Sequence, residues 1–174
     1  AYYIITPSAK VSDEKVQAYT NFVESLKALP VTLSYEKHDY ITGVISHLPH
    51  IIASTLVNFV KKNDGKDELM KHLAAGGFKD ITRIASSSPT MWQHICLQNG
   101  ENLVDILDEY IQMLEKARTE IQHGSEHDIY DLFDNEKYVV HQEETADAEI
   151  VTPILTDTTA NWSTFYEMYN LLYE

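Results

Sequence analysis

"HDYITGVISHLPHIIASTLVNFV", residues 38–60, decides how the chain is read. Its apolar residues Ile41, Val44, Ile45, Leu48, Ile51, Ile52, Leu56, Phe59 and Val60 recur at helical spacing and cover most of a helix surface. The spacing therefore predicts a helix buried nearly all round. Pro49 lies inside it. A proline has no N–H for the helical ladder and its ring collides with the carbonyl four residues back, so a kink is expected there. A chain with such a helix near its centre is organised around helix packing.

On the N-terminal side, residues 2–5 (YYII) and 31–35 (VTLSY) read as short strands. Between them Ser12 is placed to cap a helix whose apolar positions are Val16, Tyr19, Phe22, Val23 and Leu26. Two strands do not make a stable sheet alone, so this strand–helix–strand unit is expected to be the end of a larger α/β layer. On the C-terminal side, Asn63-Asp64-Gly65 marks a turn, and a helix over 68–75 is expected to end at Gly76-Gly77 in a left-handed cap. Ser88 followed by Pro89 starts a helix through Trp92 and Ile95 that stops near Asn99-Gly100.

A long amphipathic helix over about 101–122 carries Leu103, Ile106, Leu107, Tyr110, Ile111, Leu114 and Ile121 on one side. Gly124 ends it, and Ser125 with Asp128 three residues on opens another toward Val139. Residues 142–149 read as a linker and 150–155 as an extended piece. After Asn161, the stripe Trp162, Phe165, Tyr166, Tyr169, Leu172 and Tyr173 reads as a closing helix. The resulting division is 1–37, a β-α-β piece; 38–138, a helical domain; and 139–174, an acidic linker with an aromatic terminal helix.

At 174 residues and 44% hydrophobic, the chain suits one domain with a sizeable core. No unbroken apolar run reaches the ~18 residues of a membrane helix, and the start AYYIITPSAK lacks the pattern of a signal peptide. A cytoplasmic protein with no membrane partner is expected. Cys96 is the one cysteine, which excludes an internal disulfide and a multi-cysteine zinc site. The net charge is −14, and from Glu126 onward twelve acids face Lys137 alone. Nucleic acid is excluded as a partner by that balance and by the lack of a basic stripe. An anionic ligand would have to be held by a few placed cations.

Arg83 is the first of these. It is one of two arginines and stands in the largely apolar stretch "LAAGGFKDITRIASSSPTMWQHI", residues 73–95. A buried guanidinium needs a counter-charge, and its fork of donors fits a carboxylate two bonds at a time. Two partners stay open: Asp80, three residues earlier, or the carboxylate of a ligand. His47 and His50 lie three apart on the central helix and face one space. They suit packing or a polar pocket for an anion or hydroxyl; a metal site is the weaker reading, because H-x-x-H lacks the glutamate of H-E-x-x-H. No metal is expected. Gly76 and Gly77 allow a ligand to touch backbone or simply end a helix. Trp92 reads as core, and His38-Asp39 as a helix-start pair.

Two blocks, "HDYITGVISHLPHIIASTLVN" and "LAAGGFKDITRIASSSPTMWQHICLQN", in this order and at this separation, resemble the helical C-terminal region of prephenate dehydrogenases. The likeness runs from the YYIITPS strand to about residue 138. It implies a mainly α fold, a helical dimerisation domain preceded by a β-α-β remnant of a dinucleotide-binding domain, and NAD- or NADP-dependent oxidative decarboxylation of prephenate to 4-hydroxyphenylpyruvate. It also implies that Arg83 holds a substrate carboxylate, with His50 and His47 lining the same pocket and Gly76 beside it. Asp80, Trp92, Asp39 and Lys79 are then supporting residues, some reaching the site across a homodimer interface.

The chain departs from the family pattern in having no G-x-G-x-x-G fingerprint. It is therefore expected to be part of the enzyme, with no catalytic residue of its own, no cofactor bound to it alone, and no hydride transfer in isolation. Tyr40 and Gln93 stand where basic residues are expected, and residues 139–174 do not resemble the ACT module that follows in some relatives. The rival readings are a non-catalytic helical dimerisation module, with Arg83 and Asp80 as an internal ion pair, and a metal protein using His47 and His50.

Overall fold

Helix caps and one proline set most of the element boundaries. A computed structural model of the chain describes residues 1–134. The chain divides into two units: Ala1–Tyr35 together with the described residues from Asp131 on, and Glu36–Tyr130. The expected linker, extended piece and aromatic terminal helix lie outside the described residues.

In the first unit, β1 (Tyr2–Ile5) leads into helix α1 (Asp13–Ser25) and then β2 (Leu29–Thr32). The strands are parallel, with Tyr2 opposite Leu29 and Ile5 opposite Thr32. Ser12 caps α1 by accepting the Lys15 N–H at 3.5 Å, and Asp13 and Glu14 set negative charge against the positive end of the helix dipole. Val23 and Ile5 form the apolar centre of this unit. β2 begins two residues earlier than its β-branched residues suggested. Lys27 takes a left-handed backbone, φ 59°, immediately after α1, so the chain reverses into the sheet at once.

In the second unit, helix α2 (Tyr35–Thr42) passes into a π-helical turn (Gly43–His47) and on into α3 (Leu48–Asn63). This is how Pro49 acts. Lacking an N–H, it cannot complete the ladder to the carbonyl of Ile45, and the turn before it widens so that the Leu48 N–H reaches the Gly43 carbonyl. One extra residue in a helix of 3.6 per turn offsets the faces on either side by about 100°. Helix α4 (Leu69–Leu73) and helix α5 (Gly76–Thr82) follow, then a 3-10 turn (Arg83–Ala85), α6 (Pro89–Gln98), α7 (Gly100–His123) and α8 (Glu126–Phe133). Ser88 caps α6, Gly124 closes α7 at φ 66°, and Ser125 accepts the Asp128 N–H at the start of α8.

Three expectations are corrected. The Gly76-Gly77 pair does not close a helix in a left-handed cap. It opens α5 after an extended Ala75, and Asp64 organises the preceding helix by accepting the backbone N–H groups of Met70 and Lys71. The central helix is not buried all round: Gly43 and Ala53 are buried, whereas Ile45 is 71% and Phe59 65% exposed. The reason is supply, since α5, the 3-10 turn and α7 pack on α3 and cover only part of its circumference. Helix α7 likewise has two apolar faces rather than one. Leu103 and Ile106 point into the core, and Val104, Ile111, Leu114 and Ile121 form an outward stripe at spacings of seven, three and seven.

The run from Tyr35 to Asn63 is long and apolar enough by length and composition to cross a membrane, although polar residues interrupt it. Helices α5 and α7 pack against it and cover part of its surface.

Gly43 sits where the π turn meets α7. A Cβ there would lie 2.7 Å from Ile106 Cδ1 and 3.4 Å from Asn99 Nδ2. Gly43→Ala is expected to destabilise the fold by about 1–2 kcal/mol, the overpacking outweighing the gain in helix propensity. Ile106→Val removes the clashing methyl, so the two substitutions should be non-additive, with the second costing little in the presence of the first. Urea denaturation of the four proteins in the cycle checks this, and strictly additive losses would refute the close approach.

Candidate functional site

The π turn and the first turn of α3 place His47 and His50 on the same indole. The His50 ring stacks on Trp92 of α6, centroids 4.1 Å apart at 29°, and the His47 ring meets it edge-on at 5.9 Å and 84°. His50 Nδ1 and Trp92 Nε1 are both buried and have no hydrogen-bond partner among the described residues. A buried polar group left unmet costs roughly 1–3 kcal/mol, so two in one stack mark a place where oxygen atoms of a ligand would be stabilising. Trp92, which reads as core by itself and as a supporting site residue by the resemblance, is a half-buried wall shared by both histidines.

Behind them lies a residue that sequence reading missed. Asn99, at the junction of α6 and α7, is 9% exposed. Its Nδ2 donates to the Asp39 carbonyl at 2.8 Å and lies 3.2 Å from His47 Nδ1, while its Oδ1 accepts from Asn102 Nδ2 at 2.8 Å. In sequence, Asn followed by Gly reads as a helix stop, and that reading hid the side chain's part in tertiary structure. The Asp39 carboxylate holds His38 Nδ1 at 2.9 Å. Desolvation by burial lowers the His47 pKa; the nearby Asp39 charge opposes this, and His38 and His50 add to it. A neutral ring is therefore favoured.

The other expected residues fall elsewhere on the unit. Arg83 opens the 3-10 turn and is exposed, not buried as its apolar surroundings implied. No ion pair joins it to Asp80 among the described residues, so its guanidinium is free for another partner. Its turn packs against α3, the helix that carries His50. Gly76 is exposed at the first residue of α5, with open space where a Cβ would stand.

Lys79 lines an apolar cleft of about 540 Å³ with Val57, Val60, Lys61, Lys71 and Phe78. There the carboxylate of Glu68 binds Lys71 at 2.7 Å and raises its pKa. A second, open cleft of about 740 Å³ is lined by Asp39, Leu97, Asn99, Glu101, Asn102 and Asp105. Its acids make it a poor seat for an anion. The structure thus brings together His47, His50, Trp92 and Asp39, and among the described residues no hydrogen bond, ion pair or ring contact joins Arg83, Asp80, Gly76 or Lys79 to them. Among the described residues, no group of three or more His, Cys, Asp or Glu side chains is placed to hold a metal.

Comparison with known proteins follows the same lines. A family model described as "Prephenate dehydrogenase, dimerization domain" matches residues 34–135. Prephenate dehydrogenase of Bacillus subtilis (strain 168) is 41% identical over 137 residues, covering 79% of this chain and 37% of that protein. Cyclohexadienyl dehydrogenase of Zymomonas mobilis is 36% identical over 120 residues, covering 68% and 41%. Among solved structures, prephenate dehydrogenase from Aquifex aeolicus, in complex with hydroxyphenyl propionate and NAD+, superposes with a TM-score of 0.70 at 32% identity, over 77% of this chain and 47% of that one. The chain spans less than half the length of each of these relatives. The match covers both the helices that build the His47–His50–Trp92 cluster and the segment bearing Arg83, and on it the chain belongs to the prephenate dehydrogenase dimerization-domain family.

Proposed function

We propose that this chain supplies the substrate-carboxylate pocket and the dimer interface of a cytoplasmic prephenate dehydrogenase. The reaction is the NAD(P)-dependent oxidative decarboxylation of prephenate: the ring carbon bearing the hydroxyl gives up a hydride, the ring carboxylate leaves as carbon dioxide, and 4-hydroxyphenylpyruvate forms. The observation that carries this reading is the stack of His50 on Trp92, with a buried, unpartnered nitrogen on each ring. Arg83 adds an exposed guanidinium free of Asp80 on a turn packed against the same helix. Prephenate is a dianion with a six-membered ring, and the two features meet those two needs. Binding energy from its remote carboxylate would orient the ring for reaction. The Asp80 ion pair required by the non-catalytic rival is not formed.

The loop that joins β1 to α1 does not fit a dinucleotide. Residues 6–12, which join β1 to α1, hold no glycine to let a pyrophosphate approach the backbone. The cofactor therefore belongs to the enzyme of which this chain is a part. The homodimer is supported by the outward apolar stripe of α7, and by Val44 and Ile45 of the π turn and Phe59 of α3, which are exposed in one copy.

Three measurements test the reading. Titration of 4-hydroxyphenylpyruvate into the chain by calorimetry should show binding that Arg83→Ala weakens about 10- to 100-fold, the worth of a charge-assisted hydrogen-bonded contact; equal affinity in parent and variant would remove Arg83 from the site. Prephenate with NAD+ or NADP+ and the 174-residue chain should yield no reduced cofactor by absorbance, and turnover would overturn the assignment of hydride transfer to residues outside it. In sedimentation, Leu114→Glu should convert a dimer to a folded monomer, because the side chain is exposed in one copy; an unchanged mass would move the interface off α7.

A further inference from the structure

The hydrogen bonds around Asn99 form a chain of constraints with one fixed end. The Asp39 carbonyl can only accept, so the end of the Asn99 amide that lies 2.8 Å from it is the NH2 group. That same nitrogen lies 3.2 Å from His47 Nδ1 and has a second hydrogen to give. Oδ1 is left to accept from Asn102, which it does at 2.8 Å. Turning the amide over would set two oxygens against each other at Asp39. A backbone carbonyl thus fixes the amide, and the amide fixes the imidazole.

We propose that Asn99 is a positioning residue: it holds His47 in the tautomer with Nδ1 bare and the proton on Nε2, so that the pocket presents a neutral N–H donor beside Trp92. Nε2 makes no hydrogen bond among the described residues, and the residue is only partly buried. The ring itself is fixed on two sides, by Asn99 and by the edge contact with Trp92. The titratable groups facing His47 are Asp39 and His38 of α2 and His50 of α3. A proton on Nδ1 would confront the amide hydrogens directly. The tautomer follows from these contacts alone; the use of Nε2–H to donate to a ligand oxygen rests on the pocket reading above.

The test uses the 174-residue chain labelled with 15N-histidine, with the His47 signals assigned by their loss in His47→Gln. Long-range nitrogen–proton correlation at neutral pH should show a pyridine-like Nδ1 and a pyrrole-like Nε2. A protonated Nδ1 in the neutral parent ring overturns the proposal without any variant having to fold. Asn99→Asp replaces the donor by an acceptor. It should flip the tautomer and move the His47 titration midpoint up by about 1 pH unit, as a neighbouring carboxylate does. A purely structural asparagine would change stability and leave the tautomer as it was, which also counts against the proposal.

With the tautomer flipped, affinity for 4-hydroxyphenylpyruvate should fall about tenfold, the loss of one hydrogen bond. Unchanged affinity would remove the donor role of Nε2. If the parent itself does not bind this probe, the pocket reading fails, and the nitrogen spectrum still decides the role of Asn99.

Discussion

The hydrogen bond that Pro49 cannot make sets the arrangement of the whole helical unit. Without an N–H at position 49 the ladder slips by one residue, and the Leu48 N–H reaches back to Gly43. The π turn that results puts the faces of α2 and α3 out of phase by about 100°. Asp39 on one side and His47 at its end can therefore converge on one asparagine, while His50 follows on α3 to meet Trp92. A regular helix through 35–63 would present these residues along different directions. The absence of a side chain at Gly43 completes the arrangement, since it lets α7 approach the turn closely enough to bring Asn99 within reach.

Polarity in this unit is concentrated in a few satisfied bonds and two unsatisfied ones. Asn99 uses both amide hydrogens and its oxygen, and so rigidifies the junction of α6 and α7 without leaving a buried group unmet. The His50–Trp92 stack is the opposite case, with two buried nitrogens unmet. Polar groups in cores are almost always partnered, so their joint occurrence in one stack supports the proposal of a ligand pocket there. The guanidinium of Arg83, without an ion pair among the described residues, adds a cation in a chain whose net charge is strongly negative.

The apolar side chains tell a different story. Among the described residues the buried ones are Ile5, Val23, Ala53, Leu103 and Ile106, a small core for so many helices. Ile45, Phe59, Leu114 and Ile121 are exposed in one chain. Each exposed apolar residue forgoes the roughly 1.5–3 kcal/mol that full burial of such a side chain brings. A second copy packed on these faces would recover part of that, in keeping with a family defined by dimerisation.

Features governed by neighbours three or four residues apart were legible in the sequence. Ser12, Ser88 and Ser125 cap the helices that follow them, and Gly124 ends α7, because capping needs only the adjacent turn. The order and spacing of the two long blocks carried the family, and His47 and His50 were marked by their own spacing. Tertiary structure decided the rest. Asn99 meets His47 across 52 positions and Asp39 across 60, distances over which no local rule acts. Gly76-Gly77 opens a helix rather than closing one because the chain before it is extended. Arg83 is exposed, and Ile45, Phe59 and the outward stripe of α7 stay uncovered. Periodicity tells which residues share a side of a helix, but what covers that side depends on the number and placement of the neighbouring helices.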